Sequence, residues 1–445
     1  MRASWPATLL PLTGAVITIT LLLRFGRVPL RYNVRNLIVR WRTTAATALA
    51  FILVIGLLTV MLAFVAGMDH LTSKSGQPGN VVVLSDGATD ELESSLSSQD
   101  CDDVDRQPGI LRDEAGQPLS SRETYFVVNQ PIAARPGLRP QYRFVQVRGI
   151  EDPIQSARVH DLHLVPDSVW FSAAGVEELP SASGKGTIGR QLVQAVLGQG
   201  IARQLGYDQF YKALQKGDIF ELGPRLWLVV GVMDSAGSIF DSEIWAKREL
   251  VGPMFGKAGL STMVVRTHDA ASANALAVDL NKNFKKAALQ AQTETQYFAK
   301  LAQTNRQFLT TFLFVAVVVA IGGILGVMNT MFAAISQRTK DIGLLRVLGF
   351  SRRQIVVCFL LESLVIGLAG GLLGCSLGSL CHGWTATSIV DNGPGWGGKS
   401  VVMKLSVDST NLTTGMLLSM SMGALGGLLP AWSSTRLRPL ESLRT

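Results

Sequence analysis

Uncharged apolar runs and short basic stretches occupy both ends of this 445-residue chain, with a long polar region between them. Residues 43–68 form a 26-residue run without a charge, long enough to cross a bilayer as one helix. Three more spans are predicted after the polar region. Residues 308–328 lie inside a 31-residue uncharged run, residues 354–380 are interrupted only by Glu362, and residues 412–430 lie inside an uncharged run of 27. Residues 7–23, a shorter uncharged run of 17 containing Pro11, are read as an additional N-terminal span, with a non-spanning leader as the alternative. A cleaved signal peptide fits poorly, because Arg24, Arg27 and Arg31 follow this run and no small-residue cleavage site does.

Residues 69–306 have the texture of a globular domain. Strand-like runs occur at 81–84, 125–129, 144–147 and 226–232, separated by Gly, Pro and Asp turns. Residues 87–107 and 111–121 are polar and predict loops. The spacing of Leu192, Val193, Val196 and Leu197 predicts a helix over 189–205. A second, Ala-rich helix is predicted over 269–292, capped by Asp269. From Glu294 the helical pattern runs without a breaker into the next span.

Charge gives the topology. The apolar content of 47% and the mean hydropathy of +0.28 agree with several spans. The net charge of +8 is unevenly placed: segments 24–42, 338–353 and 436–445 carry fourteen basic residues and two acidic, whereas 69–306 carries twenty-four basic and twenty-eight acidic. Basic loops beside spans stay in the cytoplasm, so 69–306 is expected on the other side. No basic patch interleaved with aromatics remains to indicate nucleic acid. The RYNVRNLIVRW stretch before the first long span is basic and amphipathic, as expected of a helix lying along the inner surface. Of four cysteines, only Cys101 falls in the large loop, so that domain must be held by its own core.

The stretch MNTMFAAISQRTKDIGLLRVLGFSRRQI, residues 328–355, sits between two predicted spans and carries five basic residues against one acid. Ile342, Leu344, Leu345, Val347 and Leu348 alternate with charges as in a short amphipathic helix, and Gly349 supplies its stop. Such a helix facing the cytoplasm can be gripped by a soluble partner; the alternative is an interfacial anchor.

These residues resemble the coupling helix of the FtsX/MacB-like ABC transporter permease family, in which an S-x-R-T-[RK]-[ED]-I-G-x-x-R-x-L-G-x-[ST] run recurs. Ser336, Arg338, Thr339, Lys340, Asp341, Ile342, Gly343, Arg346, Leu348, Gly349 and Ser351 match, as do Gln354 and Ile355 beyond it. The run from Ala195 to Ala246 resembles the family's periplasmic core domain at Gly198, Ala202, Leu205, Gly217, Asp218 and Gly231. The C-terminal LLPAWSSTRLRPLESLR resembles the family's ending at Pro430, Ala431, Pro439, Leu443 and Arg444. The likeness runs from about residue 29 to the end and is firmest over the last third.

Other motifs weigh less. GPGWGGKS, residues 393–400, satisfies the phosphate-loop pattern, but Val401, Val402, Met403 and Leu405 after it look like a strand, where a nucleotide site needs a helix. A Gly-rich turn between the last two spans is expected. His160 and His163 in VHDLH are read as surface histidines, since a metal site needs further ligands at suitable spacing. Glu362 is expected to pair with Arg352, Arg353 or a neighbouring helix end, in preference to carrying protons. Gly370, Gly374 and Gly378 put small residues on one helix face and predict close helix packing. No catalytic constellation stands out.

The fold class expected is an α+β integral membrane protein with four core transmembrane helices, a fifth being optional at the N-terminus. A large extracytoplasmic α+β domain is inserted between the first two core helices. The domains expected are 1–28, an N-terminal hydrophobic segment; 29–68, an amphipathic helix and first core span; 69–306, a MacB-like periplasmic core domain; and 307–445, an FtsX-like permease domain. The resemblance implies a non-catalytic permease subunit without cofactors, in the bacterial cytoplasmic (inner) membrane. Its fused-ATPase-free form is that of LolC/LolE- and DevC-like permeases. A separate ABC ATPase subunit would dock on Arg338, Thr339, Asp341, Ile342, Leu344, Leu345, Arg346, Leu348 and Ser351. The same resemblance implies a homodimer or a heterodimer with a related permease, and a periplasmic membrane-fusion protein as a further partner. It implies export or extraction of a lipoprotein, lipid, peptide or drug-like substrate. The alternatives are a membrane-anchored receptor or scaffold, a membrane-embedded enzyme, and a mechanotransmitter that activates a cell-wall enzyme without transport.

Overall fold

In the segment NVVVLS every residue but the last is buried, which only a strand covered on both faces achieves; it is β1, Asn80–Ser85. The computed structural model describes residue 39 and residues 41–132, 142–178, 191–208, 212–235, 237–257, 259–284, 288–390 and 399–434. The run 7–23, the basic helix expected before the first long span and the residues beyond 434 lie outside these. Two units can be separated: Met68–Arg306 with Thr385–Lys404, and the remainder, which comprises residues up to Gly67, Gln307–Trp384 and residues from Leu405.

The first unit is built on one mixed sheet. Its strands after β1 are β2 (Ser120–Pro131), β3 (Tyr142–Ile150), β4 (His163–Leu164), β5 (Val176–Glu178), β6 (Gln191–Gly198), β7 (Ile219–Leu222), β8 (Arg225–Asp234), β9 (Glu243–Lys247), β10 (Thr262–Arg266) and β11 (Leu289–Thr293). The order is β11-β1-β10-β2-β3-β9-β6-β8-β4, with β5 beside β6 and β7 beside β8. Pairs β3–β9 and β6–β8 are parallel and the rest antiparallel. On the edge strand β11, the Asn281 amide donates to the Ala291 carbonyl at 2.7 Å and accepts from its N–H at 2.8 Å, which caps the backbone at that residue.

The helices of this unit are α2 (Ser98–Asp105), α3 (Pro153–His160), α4 (Gln199–Asp208), α5 (Arg248–Met254) and α6 (Ala270–Asn283), with a 3-10 turn at Ile239–Ser242. The helix expected over 189–205 is corrected: Gln191–Gly198 is a strand, and helix begins only at Gln199. Leu192, Val193, Val196 and Leu197 fit helical spacing, but burial from Leu192 to Gly198 is continuous, as a central strand demands. The helix expected over 269–292 ends at Asn283, and its tail is strand β11. Asp269 does cap it, accepting from the Ser272 N–H at 2.8 Å. Within the polar 87–107 stretch, Ser97 and Asp100 form a capping box that starts α2. The hairpin β12 (Thr385–Val390) and β13 (Lys399–Lys404), within the 307–445 segment in sequence, packs as part of this unit, and the Val402 N–H donates to Ser242 Oγ at 2.7 Å.

Alternation along β2, β3 and β9 sorts the sheet centre into two faces. Phe126, Val145, Val147, Ile244 and Ala246 enter an apolar core with β6, β8 and α4. The opposite face carries Glu123, Arg148 and Glu243, all buried. Arg148 reaches Glu243 with two bonds of 2.6 Å, Glu91 at 2.8 Å, and Glu123. Its guanidinium also lies 5.1 Å from the Tyr125 ring and 5.6 Å from Phe240. His160, at the end of α3, is 4% exposed, which corrects its reading as a surface histidine; His163 is exposed. Nε2 of His160 meets Glu123 at 2.6 Å, and Nδ1 meets Glu294 at 3.2 Å.

The second unit holds parts of α1 (Trp41–Ser75) and α7 (Glu294–Gln337), with α8 (Thr339–Val347), α9 (Arg352–Ser379) and α10 (Ser409–Ser434). Among the described residues, four stretches are long and apolar enough to cross a membrane: Thr44–Thr72, Leu309–Gln337, Arg352–Ser379 and Ser409–Ser433. Phe51, Ile55, Ala320, Val327, Ile366 and Met422 form their shared core.

Arg148 is the cation on which this sheet face depends. Burial pushes Glu123 up, but Arg148 and His160 outweigh it and hold its carboxyl below the usual range. Arg148→Met should therefore destabilise the outer unit by about 3–5 kcal/mol, because buried carboxylates lose their partner. Wild-type Glu123 contributes stability above its unfolded pKa that is lost on acidification. In the variant His160 remains beside Glu123 but Arg148 is gone, so protonating Glu123 relieves the excess negative charge of the cluster. Thermal unfolding followed by tryptophan fluorescence should show a deficit that is large at pH 7.5 and smaller at pH 5.

Candidate functional site

The segment between the second and third spans folds from its end signals inward. Helix α7 stops at Gln337, and Arg338 has left helical backbone geometry as the N-cap of α8. Thr339 Oγ1 donates to the Ser336 carbonyl at 2.7 Å, across the break. At the other end Gly349 adopts φ +94, which other residues resist. The Gly349 N–H then reaches the Arg346 carbonyl at 3.2 Å, and the Phe350 N–H reaches Leu345 at 3.1 Å. These two bonds are a Schellman closure. Ser351 immediately starts α9 with a capping box: its Oγ accepts from the Gln354 N–H, and Gln354 Oε1 accepts from the Ser351 N–H at 2.7 Å. Ser351 is thus engaged in a cap. The nine-residue α8 has both ends fixed.

Helix α8 is apolar on two sides. Ile342 is buried with Ile335, Ile355, Phe359 and Ala431. Thr339, Leu345 and Arg346 are half-buried. Leu344, Val347 and Leu348 are 53%, 63% and 67% exposed and stand at i, i+3 and i+4, which makes one ridge. Asp341 belongs to the same helix. Val347 was not among the residues singled out for docking, although its three-residue spacing from Leu344 could have marked it.

Arg338 does not face outward. Its guanidinium forms two bonds to Glu362, Nη1 to Oε2 at 2.8 Å and Nη2 to Oε1 at 3.1 Å, and both side chains are buried. It also lies 5.9 Å from the Phe359 ring centre. Glu362 thus takes the neighbouring helix end as partner, and neither Arg352 nor Arg353. Glu362 stands ten residues into α9, about 15 Å along the helix, where a lone carboxylate in lipid is costly. A planar fork matched to a carboxylate meets that cost, and the same bonds hold the α7–α8 junction against α9.

The glycines of α9 lie against α1. A Cβ on Gly370 would meet Phe51 Cβ at 2.5 Å, one on Gly374 Ile55 Cβ at 2.9 Å and the Ile52 carbonyl at 3.0 Å, and one on Gly378 Thr59 Cβ at 2.5 Å. A second face, Gly367 and Gly371, meets Ser419 of α10, whose hydroxyl donates to the Gly367 carbonyl at 2.6 Å. The span α9 is packed between two others at backbone distance. No group of three or more His, Cys, Asp or Glu side chains placed to hold a metal occurs among the described residues.

Glu362→Gln should lower the thermal midpoint of the detergent-solubilised chain, with a cost of about 3–5 kcal/mol, because it strands the buried Arg338. The double variant Arg338→Met, Glu362→Leu should recover most of that loss, since an apolar pair needs no compensation. Equal additive losses in single and double variants would show that the two side chains are not coupled.

Known proteins give the same layout. The model of the MacB-like periplasmic core domain matches residues 44–292, and that of the FtsX-like permease C-terminal domain matches residues 313–439. The chain is 27% identical over 252 residues to the uncharacterized ABC transporter permease YknZ of Bacillus subtilis (strain 168), which covers 55% of this chain and 60% of that protein. It is 24% identical over 425 residues to the macrolide export ATP-binding/permease protein MacB of Shigella boydii serotype 4 (strain Sb227), covering 91% of this chain and 59% of that protein. The chain thus spans about three-fifths of the length of these relatives. The crystal structure of the periplasmic region of MacB from Actinobacillus actinomycetemcomitans is similar at 13% identity, covering 53% of this chain and 94% of that one with a TM-score of 0.33. With a family model matching more than half its length, this chain belongs to the family of membrane proteins that join a MacB-like periplasmic core domain to an FtsX-like permease domain.

Proposed function

We propose that this chain is the permease subunit of an ABC transporter in the bacterial inner membrane, and that a separate ATPase drives it through α8. The observation that carries the reading is the exposed Leu344–Val347–Leu348 ridge on a helix whose other side is fixed by Ile342 and by the Arg338–Glu362 pair. A soluble partner that covers the ridge can push on α8, and a helix with both ends closed passes that push to the spans instead of absorbing it. Arg346, half-buried beside the ridge, supplies charge selection. The basic loops favour a cytoplasmic position for this helix. The relatives' own names, ABC transporter permease and ATP-binding/permease protein, support the reading.

ATP hydrolysis belongs to the partner chain. The phosphate-loop look-alike continues as strand β13 from Lys399, where a phosphate site would need a helix N-terminus. Two copies, or this chain with a related permease, pair in the membrane, and a periplasmic membrane-fusion protein is a further partner. The transported class is a lipoprotein, lipid, peptide or drug-like molecule moved by displacement of the outer domain.

Two tests follow. Leu348→Asp and Arg346→Glu should each release the ATPase from the affinity-purified permease, by roughly a hundredfold in affinity for a ridge contact worth about 2–4 kcal/mol, while membrane levels of the permease stay unchanged. Retention of the ATPase at wild-type ratio in both variants would reduce α8 to an interfacial anchor. Lys399→Ala should leave ATP turnover of the purified complex intact, and a collapse of turnover would restore the phosphate-loop reading.

A further inference from the structure

The buried charges of the outer unit converge on the first residue of α7. Glu294 is 1% exposed, and its carboxylate accepts three contacts. Its Oε2 takes the Gln77 N–H at 2.8 Å and the Asn80 amide at 3.0 Å, while Oε1 faces His160 Nδ1 at 3.2 Å and the Glu294 backbone opens the helix. Gln77 follows α1 by two residues, and Ser75, the last residue of α1, accepts from the Ile239 N–H at 2.8 Å. The two chain segments are in backbone contact as well, since a Cβ on Gly76 would stand 3.1 Å from Thr295 Cα. One carboxylate therefore clasps the end of α1 to the start of α7.

His160 joins this clasp to the sheet. Its two ring nitrogens meet two different carboxylates, Glu294 and Glu123, and only the doubly protonated ring can donate to both. Four buried carboxylates, Glu91, Glu123, Glu243 and Glu294, share two cations, Arg148 and His160. A neutral ring would leave Glu294 without any positive neighbour in the cluster. The ring packs against Phe240, 4.9 Å away and tilted, and meets Trp245 edge-on at 5.9 Å.

We propose that His160 is a positioning residue: its imidazolium latches the α1–α7 clasp to the sheet through Glu123 and Arg148, so that the start of α7 moves with the outer domain. The latch rests on the mechanical reading above, but its test needs no ATPase, so either can fail alone. Charged groups face the ring from two elements, Glu123 on β2 and Glu294 on α7, with Arg148, Glu91 and Glu243 behind Glu123. Burial pushes His160 down, but Glu123 and then Glu294 outweigh it and raise the ring to about 10. The raised value sets the sign. The stabilisation is whole below pH 6.5, declines above it, and is gone once pH passes about 10.

The test is spin-label mobility in the full-length chain in detergent, with a nitroxide at Gln296→Cys in the first turn of α7 and the native cysteines replaced. A reference label sits at Glu221→Cys on the β7–β8 hairpin. In wild-type background the label at 296 should be immobile at pH 7 and gain a mobile component with a midpoint near pH 10. His160→Gln should show that mobile component already at pH 7, with no further dependence on pH. Glu294→Gln, which keeps an acceptor for Gln77 and Asn80, should show it in part. The reference label should not change. Wild-type spectra in both variants would overturn the latch, as would a wild-type label unmoved up to pH 11. Loosening of the reference label together with that at 296 would also overturn it, because His160 would then be a core residue only.

Discussion

A carboxylate ten residues into a membrane span must find a cation, and Glu362 finds Arg338. Much of the junction between α7, α8 and α9 follows from that requirement. The arginine that answers it is the residue at which α7 breaks, so the break is held at one place against α9. With the break fixed, Ile342 turns toward Ile355 and Phe359, and Leu344, Val347 and Leu348 are left on the outside. The exposed ridge is thus a consequence of the buried pair. A Lys at 338 would neutralise Glu362 but could not match both oxygens in one plane, and the junction would be free to swivel.

The outer unit meets the same problem on a larger scale. Strand alternation sends Glu123, Arg148 and Glu243 to one sheet face and apolar residues to the other. Burying that face costs desolvation, which Arg148 offsets by engaging three carboxylates at once. Such a network is a weak source of net stability but discriminates strongly between the right arrangement and any other, because each misplaced partner strands a buried charge. The glycine faces of α9 are the membrane counterpart: contact at backbone distance leaves no slack between α1, α9 and α10.

Local signals in the sequence were enough for the four core spans, for a short helix stopped by Gly349 and for the Asp269 cap, because uncharged runs and helix ends are written in neighbouring residues. The unbroken pattern from Glu294 does become one 44-residue helix. The run 191–198 was misread since its apolar residues satisfy both periods, and only its place between β9 and β8 decides for strand. His160 looked like a loop histidine because Glu123 and Glu294 lie 37 and 134 residues away. Among the candidate docking residues, exposure could not be read from motif matches: Arg338 and Ile342 match the family pattern as well as Leu348 does, yet they are buried. A motif records which residues recur; packing alone says which of them remain for a partner.

The central claim is that the ridge on α8 is where an ATPase grips this chain. Site-directed photo-crosslinking from position 348 in intact membranes tests it most directly, with mass spectrometry to identify the adduct. The account predicts an adduct with an ABC ATPase, absent when the photoreactive group is moved to the buried position 342. Adducts with lipid alone from position 348 would contradict it and make α8 an interfacial helix.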